Sequence, residues 1–363
     1  LEMNGVACGD ATGLVKVVDG GSGTLKATFG VQSPGLGINR LFVLDDAEIV
    51  AALKNGHVVS RAIESGDILG DYHFAGARDL TGVAGLPNRR IVACDASGCA
   101  AVFDLQSPDV AVAEFRLGNN TQALASCGVH IACGGREQDL SVLDAETQAS
   151  VFRARNVPNT KLSLRVPVWI KAVTFVGGNA DIIATGTAHH QVRLYDTRRG
   201  RRPVGDREIG ENAVTVVASS TDGNFVFAGD GAGILLQLDR RKDLQQCGRF
   251  VGNSGGIRAI DVCDEFIASV GLDRTLHVHD IKTRKEVKRV YLKQRLEGVA
   301  FVKGAASSEA AQEKEEEDDV DEMWRQMESA DDDDDDSSGE ENIEDAARPP
   351  SKKHKADKQS EAV

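Results

Sequence analysis

F-I-A-S-V-G-L-D-R-T-L-H-V-H-D, residues Phe266–Asp280, is the stretch whose reading decides the fold. An apolar run narrows to small residues, a polar turn follows, and Leu276 and Val278 then alternate with His277 and His279 up to a closing Asp. Alternation of this kind places one face of a strand in a core and suits two short strands joined by a turn. The phrase recurs at Val6–Asp19, Ile91–Asp104, Ile131–Asp144, Ile182–Asp196 and Phe225–Asp239, and in a weaker copy lacking the Asp at Ile49–Ile63. That makes seven copies.

The closing Asp residues stand at 19, 104, 144, 196, 239 and 280. Apart from one double interval and one longer gap, they are spaced by about 40–45 residues, the period of a four-stranded propeller blade of the WD-repeat type. The residue before each closing Asp is Val18, Phe103, Leu143, Tyr195, Leu238 or His279, never Trp, so the assignment rests on period and alternation. No helical pattern separates the strands, as an α/β fold would require. The expected fold is all-β: a seven-bladed WD-repeat β-propeller over residues 1–303, followed by a disordered acidic C-terminal tail over 304–363. The chain enters on the second strand of blade one, and residues 296–302 are expected to return and complete that blade, leaving no open edge.

The one stretched single-repeat interval, Asp144 to Asp196, contains V-F-R-A-R-N-V-P-N-T-K-L-S-L-R-V-P-V-W (Val151–Trp169). Pro158 and Pro167 each lack a backbone donor, so neither a helix nor a central strand suits this stretch. It reads as an insertion between the fourth and fifth blades, near residues 156–168. Ten bases face only two acids between Val151 and Arg202. Arg153, Arg155, Lys161, Arg165, Arg193, Arg198, Arg199, Arg201 and Arg202 are the candidate contacts to RNA or to acidic protein, because such cations supply charge without reading bases. Arg165 and Arg193 lie within alternating stretches, where an ion pair is the competing role.

The formal charge of −14 is unevenly spread. The tail carries 22 acids and 7 bases from Ala305 onward, whereas residues 151–304 carry 25 bases and 16 acids. So acidic a tail cannot bury enough apolar area to offset the entropy of ordering. Within it, Val320, Met323, Trp324 and Met327 fall at helical spacing in a short motif, 319–328, suited to a partner's groove. Lys352, Lys353, Lys355 and Lys358 form a basic cluster (349–358) of the nuclear-localisation kind.

Catalytic and metal readings do poorly. The glycine-rich stretches Gly20–Gly23 and Gly229–Gly233 lack the P-loop lysine and its strand-to-helix setting. His189–His190 and His277/His279 have no third ligand at metal spacing. Seven cysteines do not close into pairs and contain no C-x-x-C, so the thiols read as small buried hydrophobes, reduced and intracellular. No apolar run approaches the ~18 residues of a membrane helix. The expectation is a protein that is not an enzyme, with no cofactor and no membrane segment.

F-R-A-R-N-V-P-N-T-K-L-S-L-R-V-P-V-W (Phe152–Trp169), H-Q-V-R-L-Y-D (His190–Asp196), R-R-P-V (Arg201–Val204), G-L-D-R-T-L (Gly271–Leu276), V-Y-L-K (Val290–Lys293) and D-E-M-W (Asp321–Trp324) resemble one family. It is the family of nucleolar WD-repeat assembly factors of the large ribosomal subunit. The resemblance implies a non-catalytic scaffold on pre-60S particles in the nucleus and nucleolus, working in rRNA processing. It would touch ribosomal RNA and neighbouring assembly factors, be released by an AAA-type ATPase, and be monomeric outside the particle. The alternative is a protein-binding adaptor in chromatin or ubiquitin-ligase complexes, without RNA contact.

Overall fold

A computed structural model describes residues 5–45, 47–74, 79–107, 111–159 and 162–302. Lys161, the tail motif 319–328 and the basic cluster 349–358 lie outside the described residues. What is described is seven four-stranded antiparallel sheets. From the channel outward, blade 1 is Leu296–Val302, Gly5–Asp10, Val15–Asp19 and Leu25–Phe29; blade 2 is Ile38–Leu44, Glu48–Leu53, His57–Ala62 and Ile68–His73. Blades 3 to 7 repeat that meander, with inner strands Leu80–Leu86, Thr121–Cys127, Ile170–Val176, Val214–Ser219 and Ile257–Cys263. Among the described residues there is no α-helix, only two three-residue 3-10 turns.

The closing Asp residues are turn staples. Each accepts a backbone N–H two or three residues on, in the turn after the third strand: Asp19 from Ser22, Asp104 from Gln106, Asp144 from Glu146 and Thr147, Asp196 from Arg198, Asp239 from Arg241 and Asp280 from Thr283. An Asp side chain mimics a backbone turn in this way, which is why this residue type recurs at this place. Where Ala62 replaces it in blade 2, the turn is held by the backbone alone, Gly66 N–H to Ala62 C=O and Ala62 N–H to Asp67 C=O.

Side chains from adjacent blades fill the spaces between them. Val6, Cys8 and Val18 of blade 1 pack with Ala268, Val270, Leu276 and Val278 of blade 7, and Leu296, Val299 and Phe301 of the closing strand join them. That strand pairs antiparallel with Gly5–Asp10, from Gly5 opposite Val302 to Asp10 opposite Leu296. Both ends of the ring thus meet in one sheet. Cys8, Cys94 and Cys133 are fully buried in these packed faces, and burial pushes their thiols up to about 12, 11 and 12. They are free thiols, as are all seven cysteines.

The turn carboxylates make the fold sensitive to acid. Hydrogen bonds hold Asp19 (chiefly from Lys26), Asp144 (from the Thr147 backbone), Asp239 (from Arg241) and Asp280 (from the Thr283 backbone) below the ordinary range. In blade 7, burial pushes Asp273 and Glu286 up, but the hydrogen bonds from His277 and other donors outweigh it and leave both lowered. A folded pKa below the unfolded value contributes stability that is present above about pH 4 and lost as pH falls through the folded value. Asp139 and Asp206, raised by burial, act in the opposite sense but are outnumbered. The melting temperature should be level near neutrality and fall steadily below about pH 4. A midpoint that holds or rises in that range would contradict this account.

Candidate basic interface at blades 4 and 5

Blade 4 ends in the short strand Ser150–Arg153, and blade 5 begins at Ile170. The chain between them is irregular but tied at several points. Asn156 Nδ2 donates to Val166 C=O at 2.6 Å, closing the neck of the loop, and Asn159 Nδ2 donates to Ser163 C=O at 3.3 Å. Glu137 N–H donates to Val168 C=O at 2.8 Å, and Arg136 bridges to Trp169, which fastens the exit of the loop to blade 4. The loop holds Leu162 and Leu164 in solvent, 79% and 62% exposed, beside exposed Arg165. Loops on a rigid scaffold are where binding groups usually sit.

The turn between the third and fourth strands of blade 5, residues 197–204, folds against the start of this insertion. Arg155 N–H donates to Arg201 C=O at 2.7 Å, and Arg201 Nε donates to Arg153 C=O at 2.7 Å. Arg201 is thereby tied to the distant pair Arg153 and Arg155, through its carbonyl and its side chain, with Arg153 and Arg155 exposed. Arg199 and Arg202 are exposed on the same turn. Among the described residues, no carboxylate lies within ion-pair distance of Arg153, Arg155, Arg199, Arg201 or Arg202. Clustered like charges without acids raise the local potential, so this ridge is poised for an anionic surface.

The remaining candidates divide. Arg165 pairs with Glu137 at 3.3 Å, both in solvent, and Arg198 lies 3.5 Å from Asp181 and 3.3 Å from Asp196, so these cations are partly neutralised. Arg193 is corrected: it is only 2% exposed and cannot meet a particle. Its Nε lies 3.4 Å from Asp206, its Nη2 donates to Gln191 Oε1 at 2.8 Å, and its Nη1 donates to Asn156 Oδ1 at 3.4 Å. Since Asn156 closes the insertion, Arg193 is a positioning residue beneath the loop. Its partners come from elsewhere in the chain, which is why spacing alone placed it among the surface cations.

One feature escaped the sequence reading. Trp169 donates its Nε1–H to Gln122 Oε1 at 2.7 Å and lies between two cations, Arg136 at 5.0 Å and Lys171 at 5.4 Å from its ring. Contacts of that geometry are worth roughly 0.5–1 kcal/mol each at exposed sites. The insertion is thereby anchored to the mouth of the central channel. Lys171 stands two residues from Trp169, but Arg136 comes from blade 4, so the sequence alone did not show the pair.

No family model matches the chain. It is 31% identical to WD repeat-containing protein 74 of Homo sapiens over 244 residues, 64% of this chain and 63% of that protein. It is 30% identical to WD repeat-containing protein 74 of Bos taurus over 262 residues, 69% of this chain and 68% of that protein. Ribosome biogenesis protein NSA1 of Meyerozyma guilliermondii is 30% identical over 207 residues, 48% of this chain and 52% of its own length. Among solved structures, the computationally designed protein Ika8 superposes with a TM-score of 0.61 at 20% identity, covering 82% of this chain and 86% of its own, a likeness of fold alone. On the bovine match, taken with the seven-bladed ring, the chain belongs to the WD repeat-containing protein 74 family.

Proposed function

We propose that this protein is a non-catalytic factor in ribosome biogenesis, a scaffold that docks on large-subunit precursor particles in the nucleolus. The observation that carries the reading is the ridge of Arg153, Arg155 and Arg201, joined by one backbone hydrogen bond and one from the Arg201 side chain, and lacking carboxylate partners among the described residues. A relative named for ribosome biogenesis supports the setting. The ridge would lie on rRNA phosphates, while Leu162 and Leu164 would meet an apolar patch of a neighbouring assembly factor. Phosphate contacts position a protein without reading sequence, which suits a rigid ring serving as a platform. An AAA-type ATPase would act on the bound particle to release the protein.

Purification of the tagged chain from nuclear extract, followed by sequencing of the co-purified RNA, tests this directly. Large-subunit rRNA precursors should be enriched, and raising the salt should strip them progressively, because each neutralised phosphate releases counterions. Recovery of chromatin or ubiquitin-ligase components without RNA would replace the proposal with the adaptor reading.

A further inference from the structure

Each inner strand carries a bulge just after its first residue, visible as a register shift in all seven blades. A bulge re-aims the extra side chain, and here the extra residue is always polar: Asn39, Thr81, Gln122, Lys171, Thr215, Arg258 and Glu297. In blades 2, 3 and 6 it straps the ring together. Asn39 Nδ2 donates to Leu80 C=O at 2.8 Å, Thr81 Oγ1 to Thr121 C=O at 3.1 Å and Thr215 Oγ1 to Ile257 C=O at 2.5 Å. In blades 5, 7 and 1 the same position holds a charge instead. Arg258 and Glu297 approach only to 3.7 Å, and Lys171 has no carboxylate within ion-pair distance among the described residues.

Blade 2 adds a second departure. The first paired residue after the bulge is Gly82, Ala123, Ala172, Val216, Ala259 or Gly298 in six blades, but Arg40 in blade 2. Its side chain lines the same cavity as Lys171, Arg258 and Glu297. Arg40 Nη1 donates to the Asn39 carbonyl at 3.0 Å, which engages one of five donors. Burial pushes its guanidinium down, with the Glu297 carboxylate acting against that shift, yet an arginine stays charged in proteins. Three cations and one carboxylate therefore line one cavity, Arg258 exposed and Arg40, Lys171 and Glu297 half-buried.

We propose that the central channel is a binding site for a phosphate-class dianion, held by Arg40, Lys171 and Arg258. Two uncompensated positive charges match one dianion, and the half-buried Arg40, with most of its donors unengaged, gains from an anion that supplies both charge and acceptors. The planar guanidinium forks suit phosphate oxygens, with Lys171 as a point charge. The phosphate could be a free anion or the terminal phosphate of an RNA strand.

Calorimetric titration of the full chain with inorganic phosphate and pyrophosphate tests the site. Saturable 1:1 binding is expected for pyrophosphate. The double variant K171Q/R258Q should weaken it at least about tenfold, the loss of roughly 1.4 kcal/mol. Arg40 is left alone because its replacement could disturb folding. Glu297→Gln should strengthen binding by about threefold or more, since it removes the one repulsive charge. A structural role for these residues would not produce that opposite sign. Competition of pyrophosphate by a 5′-phosphorylated oligoribonucleotide, but not by its unphosphorylated twin, assigns the phosphate to an RNA end; failure of both to compete assigns a free anion. No saturable heat up to about 10 mM, or equal affinity in the wild type and all variants, would overturn the proposal.

Discussion

Replacing Arg153, Arg155 and Arg202 with glutamate is expected to move the protein off large-subunit precursor particles by tenfold or more, while its melting temperature shifts by no more than a few degrees. The two parts of this expectation rest on different observations. All three side chains are exposed and none has an ion-pair partner among the described residues, so their loss removes no packing. The bonds that order the ridge use the Arg153 carbonyl, the Arg155 N–H and Arg201, none of which the substitutions remove. Exposed changes of this type usually stay within about 0.5 kcal/mol each. Binding should respond far more, because three attractive charges become repulsive and the salt dependence loses up to about three counterions. Sedimentation of extracts would show the variant near the top of the gradient. A variant that stays on the particle but loses its melting transition would make the ridge structural.

Deleting Leu296–Val302 is expected to abolish folding of the ring. Leu296, Val299, Phe301 and Val302 are each at most 8% exposed, and they sit in the cores on both sides of blade 1. Burying side chains of these types contributes about 1.5–3 kcal/mol apiece, so the four together approach the 5–15 kcal/mol that holds a whole domain together. The deletion also strips Gly5–Asp10 of its hydrogen-bond partner strand and leaves blade 1 with three strands. The product should be recovered as aggregate, without a cooperative melt by circular dichroism. A soluble monomer with the wild-type midpoint would refute closure of the ring through this strand.

The fold was legible because its signals are local. A closing Asp, present in six of the seven units, small residues before a turn and alternation along the second strand are features of a two-strand unit, and seven such units fix the architecture. The irregular insertion was legible through Pro158, Pro167 and the stretched interval from Asp144 to Asp196. What could not be read is anything that depends on two distant segments. The zip between Arg155 and Arg201 and the burial of Arg193 under Asn156 belong to that class. The polar bulge ring was in plain view as I-N-R, L-T-G, T-Q-A, I-K-A, V-T-V, I-R-A and L-E-G, but it has meaning only once those positions are known to face one channel.

The central claim is that the blade 4 to blade 5 ridge lies against ribosomal RNA. Ultraviolet cross-linking of the protein on purified precursor particles, with cross-linked peptides identified by mass spectrometry, tests it most directly. Nucleotide adducts should concentrate in peptides covering residues 151–169 and 197–208. Adducts confined to blades 1 to 3, with none in those two segments, would contradict it.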